Sequence, residues 1–236
     1  MIARPDPIAK LKKIAWKCNM DLQKSGLVKE TFGNASAIDR ERGIIAIKPS
    51  GISYSGLTPE KIVLVDLNNR VINSKYKPSS DVKTHIELYR HFPEISGVVH
   101  THSCFATAWA QAKKDIPCFG TTHADYVYGP VPCTAELSDK QIKGDYEKET
   151  GLQIVKRFKN LSYEQCGMAI VACHGPFTWG KTAEEAVHNS IMLEEIAMIA
   201  LFTVAVNPGI KSIAKSLLDK HFFRKHGKTA YYGQER

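Results

Sequence analysis

The sequence predicts an α/β fold: a single domain over residues 1–236, three-layer α/β/α, with a central mixed, largely antiparallel sheet. Two observations carry this. Short apolar runs come in pairs joined by tight turns, as hairpins do, and between the pairs lie stretches with apolar residues at helical spacing. In addition, no linker, low-complexity tract or internal repeat divides the chain, which at 236 residues and 43% hydrophobic composition can bury a sizeable core.

The elements follow in order. Ile8, Leu11, Ile14, Ala15, Cys18 and Leu22 form a helical stripe that Gly26 closes. SAID, the turn RERG and IIAIK read as a hairpin leading into the loop KPSGISYSG, and KIVLVDL, the turn NN and VINSKY read as a second. VKTHIELYRHF is helical and stops at Pro93; GVVHTH is a strand and SCFATAWAQA a helix. Residues 115–150 are irregular, broken by Pro117, Pro130 and Pro132. GLQIVKRFK then reads as a helix and MAIVAC as a strand. A long helix runs through TAEEAVHNSIMLEEIAMIALFTVAV, opened by a capping box of Thr182 and Glu185. A short helix, SIAKSLLDKHFF, precedes a polar tail.

Composition narrows the function. No segment reads as the ~18 consecutive apolar residues of a membrane helix, and the N-terminus has no apolar run behind its charges. The six cysteines, at 18, 104, 118, 133, 166 and 173, form no CxxC pair, which points to reduced thiols in the cytoplasm. The net charge of +8 is spread along the chain, with modest clusters at Lys10–Lys13 and Arg224–Lys228. It lacks the stripe a nucleic-acid binder needs and suits a small anionic substrate equally well.

The stretch VVHTHS carries the chemistry. Residues two apart on a strand face one side, so His100 and His102 converge, and His174 ends the apolar run MAIVAC at another strand exit. Two such strand ends side by side would gather three imidazoles, a set suited to a catalytic divalent metal, zinc first. Taken singly, each histidine would read as a hydrogen-bonded strand end. Residues 175–182, GPFTWGKT, match the phosphate-binding loop pattern GxxxxGK[ST]. Pro176 removes an amide that such a loop needs, Phe177 and Trp179 are too bulky for it, and no later strand supplies a magnesium-binding aspartate. The match of Ser80–Lys83 to SxxK lacks both partner motifs.

Several stretches together resemble one family. GNASAIDRERGIIAIKPSG, KPSSD, VVHTHS, GTTHADYVYG, CHGPFTWGK and LLDKHFFRKHGKTAYYGQ are similar, in order from about Leu22 to Gln234, to the L-ribulose-5-phosphate 4-epimerases of the class II (metal-dependent) aldolase superfamily. The resemblance implies Zn²⁺ held by Asp81, His100, His102 and His174, one ion per subunit. It implies a substrate phosphate bound among Gly33, Asn34, Ser50, Gly51, Ser79 and Ser80, with Lys48 close by. The implied reaction converts L-ribulose 5-phosphate to D-xylulose 5-phosphate by retro-aldol cleavage of C3–C4 and re-addition to the other face of the aldehyde. Two acid/base groups are implied, Asp125 on one side and Tyr232 from a neighbouring subunit on the other, with His221 and Glu147 in support.

Further implications are a homotetramer with four-fold symmetry and active sites at subunit interfaces, the tail around 225–236 packing there, and a place in L-arabinose or L-ascorbate breakdown. The alternative is a class II sugar-phosphate aldolase like L-fuculose-phosphate aldolase. Such relatives carry glutamate after the paired serines, where this chain has Asp81, and the HADY aspartate and AYYGQ tail are also the epimerase's. Two departures stand out. The region around LSYEQC is a few residues shorter than the family's, and Cys173 is not the residue expected before His174.

Overall fold

The computed structural model describes residues 6–72, 74–227 and 230–232. Parts of the tail stretch 225–236 therefore lie outside the described residues, as do Lys228 and Gln234. Helix α1 (Pro7–Lys24) starts where the Asp6 carboxylate accepts from the Ile8 amide at 3.0 Å, and ends at Ser25 before Gly26 turns the chain at φ 75°. The two hairpins follow: β1 (Asn34–Asp39) with β2 (Ile44–Ile47), then β3 (Val63–Asp66) with β4 (Val71–Ile72). Next come α2 (Val82–His91), β5 (Gly97–His100) and α3 (Cys104–Ala112). The irregular stretch holds two short helices, α4 (Thr121–Ala124) and α5 (Asp139–Lys143), before α6 (Tyr146–Arg157), which starts five residues earlier than its apolar pattern. Strands β6 (Met168–Val171) and β7 (Gly175–Gly180) precede α7 (Ala183–Val206) and α8 (Lys215–Lys225).

One seven-stranded sheet runs in the order β4-β3-β2-β1-β5-β7-β6. Every strand pair is antiparallel, so the expected mixed sheet is corrected to an antiparallel one; parallel pairing is confined to an isolated bridge between Cys133 and Ile170. Tight turns link β1 to β2, β3 to β4 and β6 to β7, which forces those pairs antiparallel.

GPFTWG, for which the sequence predicts no element, is a fully buried strand: Phe177 and Trp179 enter one core while Thr178 faces α7 and donates to the Ala186 carbonyl at 2.8 Å. A phosphate loop at this place is excluded by the ladders on both its sides.

Alternation along the strands builds the three layers. Ile45, Ile47, Val63, Val65 and Val98 pack with Val82, Ile86, Leu88, Ile154 and Phe158 of α2 and α6. Ala35, Ala37, Ala46, Leu64 and Val99 face Leu11, Ala15, Cys18 and Leu22 of α1 and the first turns of α7. Thr182 caps α7 by accepting from the Glu185 amide, but the Glu185 carboxylate returns to the Lys181 amide at 2.7 Å and not to Thr182.

Helix α7 is the one described helix long and apolar enough to cross a bilayer by length and composition, contrary to the expectation of none. Here it is a helix of the fold: its first two-thirds packs on the sheet through Ala186, Val187, Leu193 and Ile196. Its last third leaves Ile199, Leu201, Phe202 and Val206 exposed.

Candidate active site and metal centre

Register sets the site. Asn34 pairs with His100 across β1 and β5, and His100 pairs with Phe177 across β5 and β7. The starts of β1 and β7 thus meet the end of β5 at one edge of the sheet. The expectation that the strands bearing His100 and His174 lie side by side is corrected, since β7 runs between them. The tight turn from β6 into β7 nonetheless brings His174 back over His100, with ring centroids 4.6 Å apart.

His100 is held on three sides. Its ring stacks on Phe177 at 4.1 Å, its Nδ1 donates to the Pro176 carbonyl at 2.9 Å, and its Nε2 lies 3.1 Å from Nε2 of His102. A proton on Nδ1 leaves Nε2 free as a lone-pair donor. The strand ends at His100, but Thr101 still donates to Pro176, which keeps His102 on the same side. The three imidazoles offer ligand atoms that all lie within 4.8 Å of one another, a group able to hold a metal ion. Two nitrogens on one tetrahedral zinc, each at roughly 2.0–2.1 Å, stand about 3.4 Å apart, so the 3.1 Å separation fits. Burial, then repulsion by His100, pushes His174 down to about 4, and the same causes lower His102. Both are neutral near pH 7, the ligand form.

Asp81 lines the same cavity but is not one of the group of three; its Oδ2 accepts from Asn34 Nδ2 at 2.8 Å and from Ser79 Oγ at 3.4 Å. Burial works to raise its carboxyl, and the adjoining His100, His85 and Asn34 outweigh that and hold it below the ordinary value.

The cavity, of about 320 Å³, also brings together Gly33, Asn34, Lys48, Ser50, Gly51, Ser79 and Ser80, with Glu147. Gly33 is obligatory: at φ 79° a Cβ would sit 2.6 Å from Val28 Cγ1 and 3.1 Å from the His100 carbonyl. Lys48 is buried, donates to the Thr31 carbonyl at 3.2 Å and lies 4.9 Å from the centre of the Tyr54 ring. Burial lowers its ammonium to about 8. The Oδ1 of Asn34 is buried without a partner. Lys48 and Ser79 are buried while Ser50 and Ser80 are exposed at the mouth, and an ammonium with three hydroxyls around an anion-sized space suits a phosphate.

Asp125, His221 and Tyr232 do not line this cavity. They form a second cluster where α8 docks beside α4. Asp125 accepts from His221 Nδ1 at 3.0 Å, from Arg224 at 2.9 Å and from Lys225 at 3.1 Å. Burial acts to raise its carboxyl, but these three donors prevail and keep it ionised. Tyr232 is exposed; its amide donates to the Arg224 carbonyl and its ring lies 4.7 Å from the Arg224 and Lys225 cations. Within one chain Asp125 thus stands apart from the imidazole cavity, held by its ion pairs to α8. Sequence reasoning also missed Tyr146, Thr31 and Phe32 among the cavity residues. Tyr146 directly precedes Glu147 in the DYEKET stretch, and that adjacency was the available signal.

Residues 14–201 match the family described as Class II Aldolase and Adducin N-terminal domain, and the chain belongs to it. Among its relatives is L-ribulose-5-phosphate 4-epimerase UlaF of Salmonella paratyphi A, 49% identical over 226 residues, which span 96% of this chain and 99% of the relative. The enzyme of the same name from Salmonella typhi matches equally. Solved structures share the fold. L-fuculose 1-phosphate aldolase superposes with a TM-score of 0.77 at 24% identity, covering 91% of this chain and 95% of its own. L-fuculose 1-phosphate aldolase from Glaciozyma antarctica does so with 0.77 at 19%, covering 98% and 87%.

Proposed function

We propose that this chain catalyses C4 epimerisation of L-ribulose 5-phosphate to D-xylulose 5-phosphate. Zn²⁺ would be held by His100, His102 and His174 with Asp81 as fourth ligand, in a homotetramer. The observation that carries the reading is one cavity with an imidazole group able to hold a metal on one wall and phosphate-type donors, Lys48 and Ser79 among them buried, on another. Near-full-length likeness to enzymes named for this reaction supports the same substrate.

The phosphate binds through the hydroxyls of Ser50, Ser79 and Ser80 and the ammonium of Lys48, with Gly33, Gly51 and Asn34 lining the space around it. A bound dianion favours the charged form of Lys48, offsetting the burial that lowers it. When present, the divalent ion supplies a Lewis acid that polarises the sugar oxygens and stabilises negative charge as C3–C4 breaks. Asp125 and Tyr232 then exchange protons with the C4 oxygen: an ionised carboxylate accepts, a phenol donates. The phosphate cradle retains the aldehyde fragment while it turns its other face.

Both acid/base groups reach the cavity from a neighbouring subunit, supported by their clustering away from it in their own chain. Exposed apolar residues, Ile199, Phe202 and Val206 on α7 and Leu217 and Phe223 on α8, supply surface for such an assembly. The six cysteines, all free, suit a reducing cytoplasm.

The test is an assay of zinc-loaded protein with L-ribulose 5-phosphate, following D-xylulose 5-phosphate and free aldehyde together. Xylulose 5-phosphate without accumulating aldehyde, abolished by a chelator, supports the epimerase. Aldehyde as main product makes the chain an aldolase, and no reaction removes this substrate.

A further inference from the structure

Two of the three imidazoles differ in what holds them. The main chain fixes His100, through the Pro176 carbonyl on its Nδ1. His174 sits on the turn between β6 and β7, behind Cys173 at φ 61°, and among the described residues no carbonyl bonds its ring. Its Nδ1 instead lies 3.3 Å from the hydroxyl of Tyr146, with ring centroids 6.0 Å apart.

Tyr146 is itself well anchored. It opens α6, and the first turn of α6 is bolted to the first turn of α2, the helix that Asp81 precedes. The Asp145 carboxylate takes both its contacts from Lys83 Nζ, at 2.9 and 3.0 Å, and Thr84 Oγ1 donates to the Glu147 carbonyl at 2.6 Å. Thr150 Oγ1 donates to the carbonyl of Tyr146 at 2.9 Å. The helices approach this closely because residue 151 is glycine, where a Cβ would lie 2.8 Å from that of Glu87 and 3.0 Å from the Thr84 carbonyl. Two helix starts, one bearing Asp81 and one bearing Tyr146, thus converge on the imidazole group.

We propose that Tyr146 is the positioning residue for the third imidazole: its hydroxyl oxygen accepts the Nδ1 proton of His174, which fixes the ring and leaves Nε2 as the ligand atom. A phenol can donate or accept. Donation to Nδ1 would place the ring's proton on Nε2 and block ligation, so a metal-binding His174 requires Tyr146 to accept. Its own proton then remains available inside the cavity that Asp81 and Glu147 also line. This inference rests on the metal-centre reading above.

The test uses full-length wild type, Tyr146→Phe and His174→Asn, each stripped of metal, with zinc affinity measured by competition against a chromophoric chelator and the visible spectrum recorded after Co²⁺ substitution. Phenylalanine keeps the ring and removes only the hydroxyl, so metal-free melting should match wild type. Partners that orient a ligating histidine are typically worth about 10–100-fold in metal affinity, and Tyr146→Phe should lose on the order of tenfold and shift the cobalt bands. A merely structural role would move neither. Unchanged zinc affinity and cobalt spectrum in Tyr146→Phe, with affinity lost in His174→Asn, overturns the role of Tyr146 alone. Unchanged affinity in His174→Asn as well overturns the metal centre and this inference with it.

Discussion

If the metal and the acid/base pair of one site come from different chains, two inactive variants should rescue each other. His102→Asn disables the imidazole group with little structural consequence, because His102 is exposed and its polar contact is with His100 Nε2. Tyr232→Phe removes a hydroxyl whose loss leaves the tail's contacts in place: the amide still donates to the Arg224 carbonyl and the ring still faces the Arg224 and Lys225 cations. Each variant alone should fall by about 10²-fold or more in turnover. In a ring assembled at random from equal amounts, a competent site pairs a Tyr232→Phe chain, with intact imidazoles, and a His102→Asn neighbour, with intact tail. Each position carries the needed chain half the time, so about one quarter of sites work, and activity returns to about a quarter of wild type. The assay is turnover of L-ribulose 5-phosphate after co-refolding the two variants, compared with each refolded alone. Activity no greater than that of the separate parents would show that Tyr232 is not supplied to a neighbour's imidazoles, and the composite site would be abandoned.

Acid should destabilise the fold through His123, which is buried with its Nε2 on the Gly129 carbonyl and which burial pushes down to about 4. Between the ordinary value of 6.5 and about 4 the unfolded chain binds a proton that the folded chain refuses, so stability falls as pH falls, by about 1.4 kcal/mol per unit and roughly 2 kcal/mol by pH 5. Urea unfolding at pH 7 and pH 5 measures it, and His123→Gln, which can keep the donor, should shrink the difference by that amount. Lys48→Ala should raise KM roughly 10–100-fold by removing a charged phosphate donor, with a smaller effect on kcat; an unaltered KM would take Lys48 out of the phosphate site. Lys181→Ala should leave turnover unchanged while a zinc chelator abolishes it, since the Lys181 side chain is exposed and its ammonium pairs with Glu164 at 3.8 Å; the opposite pair of results would revive a nucleotide-dependent activity.

Much of the fold was legible because the relevant signals are local. Short apolar runs joined at the turns RERG and NN gave the two hairpins, and the Thr182 cap gave the start of α7. What escaped is β7. GPFTWG has proline and two glycines, which argue against a strand, and its buried status on both faces erases any alternation of polar and apolar residues. Its place between β5 and β6 is a long-range fact, and missing it also misplaced the route by which His174 reaches His100. The start of α6 was missed for a related reason: Tyr146 to Thr150 are polar or charged, and their helical state is set by Lys83 and Thr84 on α2.

The candidate site divides along the same line. HTH on one strand is readable from spacing alone, because the period of a strand is two and both rings must fall together. The phosphate side chains are scattered over three loops and looked like ordinary turns until the resemblance joined them. Asp125 shows the limit most clearly. Its matched role requires it near the imidazoles, yet its own chain provides three cationic or imidazole donors from α8 that hold it elsewhere. Leaving those charge-assisted partners for a cavity in the same chain would break several part-buried hydrogen bonds, each of which contributes up to roughly 1.5–3 kcal/mol. In the proposed assembly the conflict would disappear, because a second copy's cavity would come to Asp125 while His221, Arg224 and Lys225 kept their hold on it, with Tyr232 beside the same Arg224 and Lys225 cations.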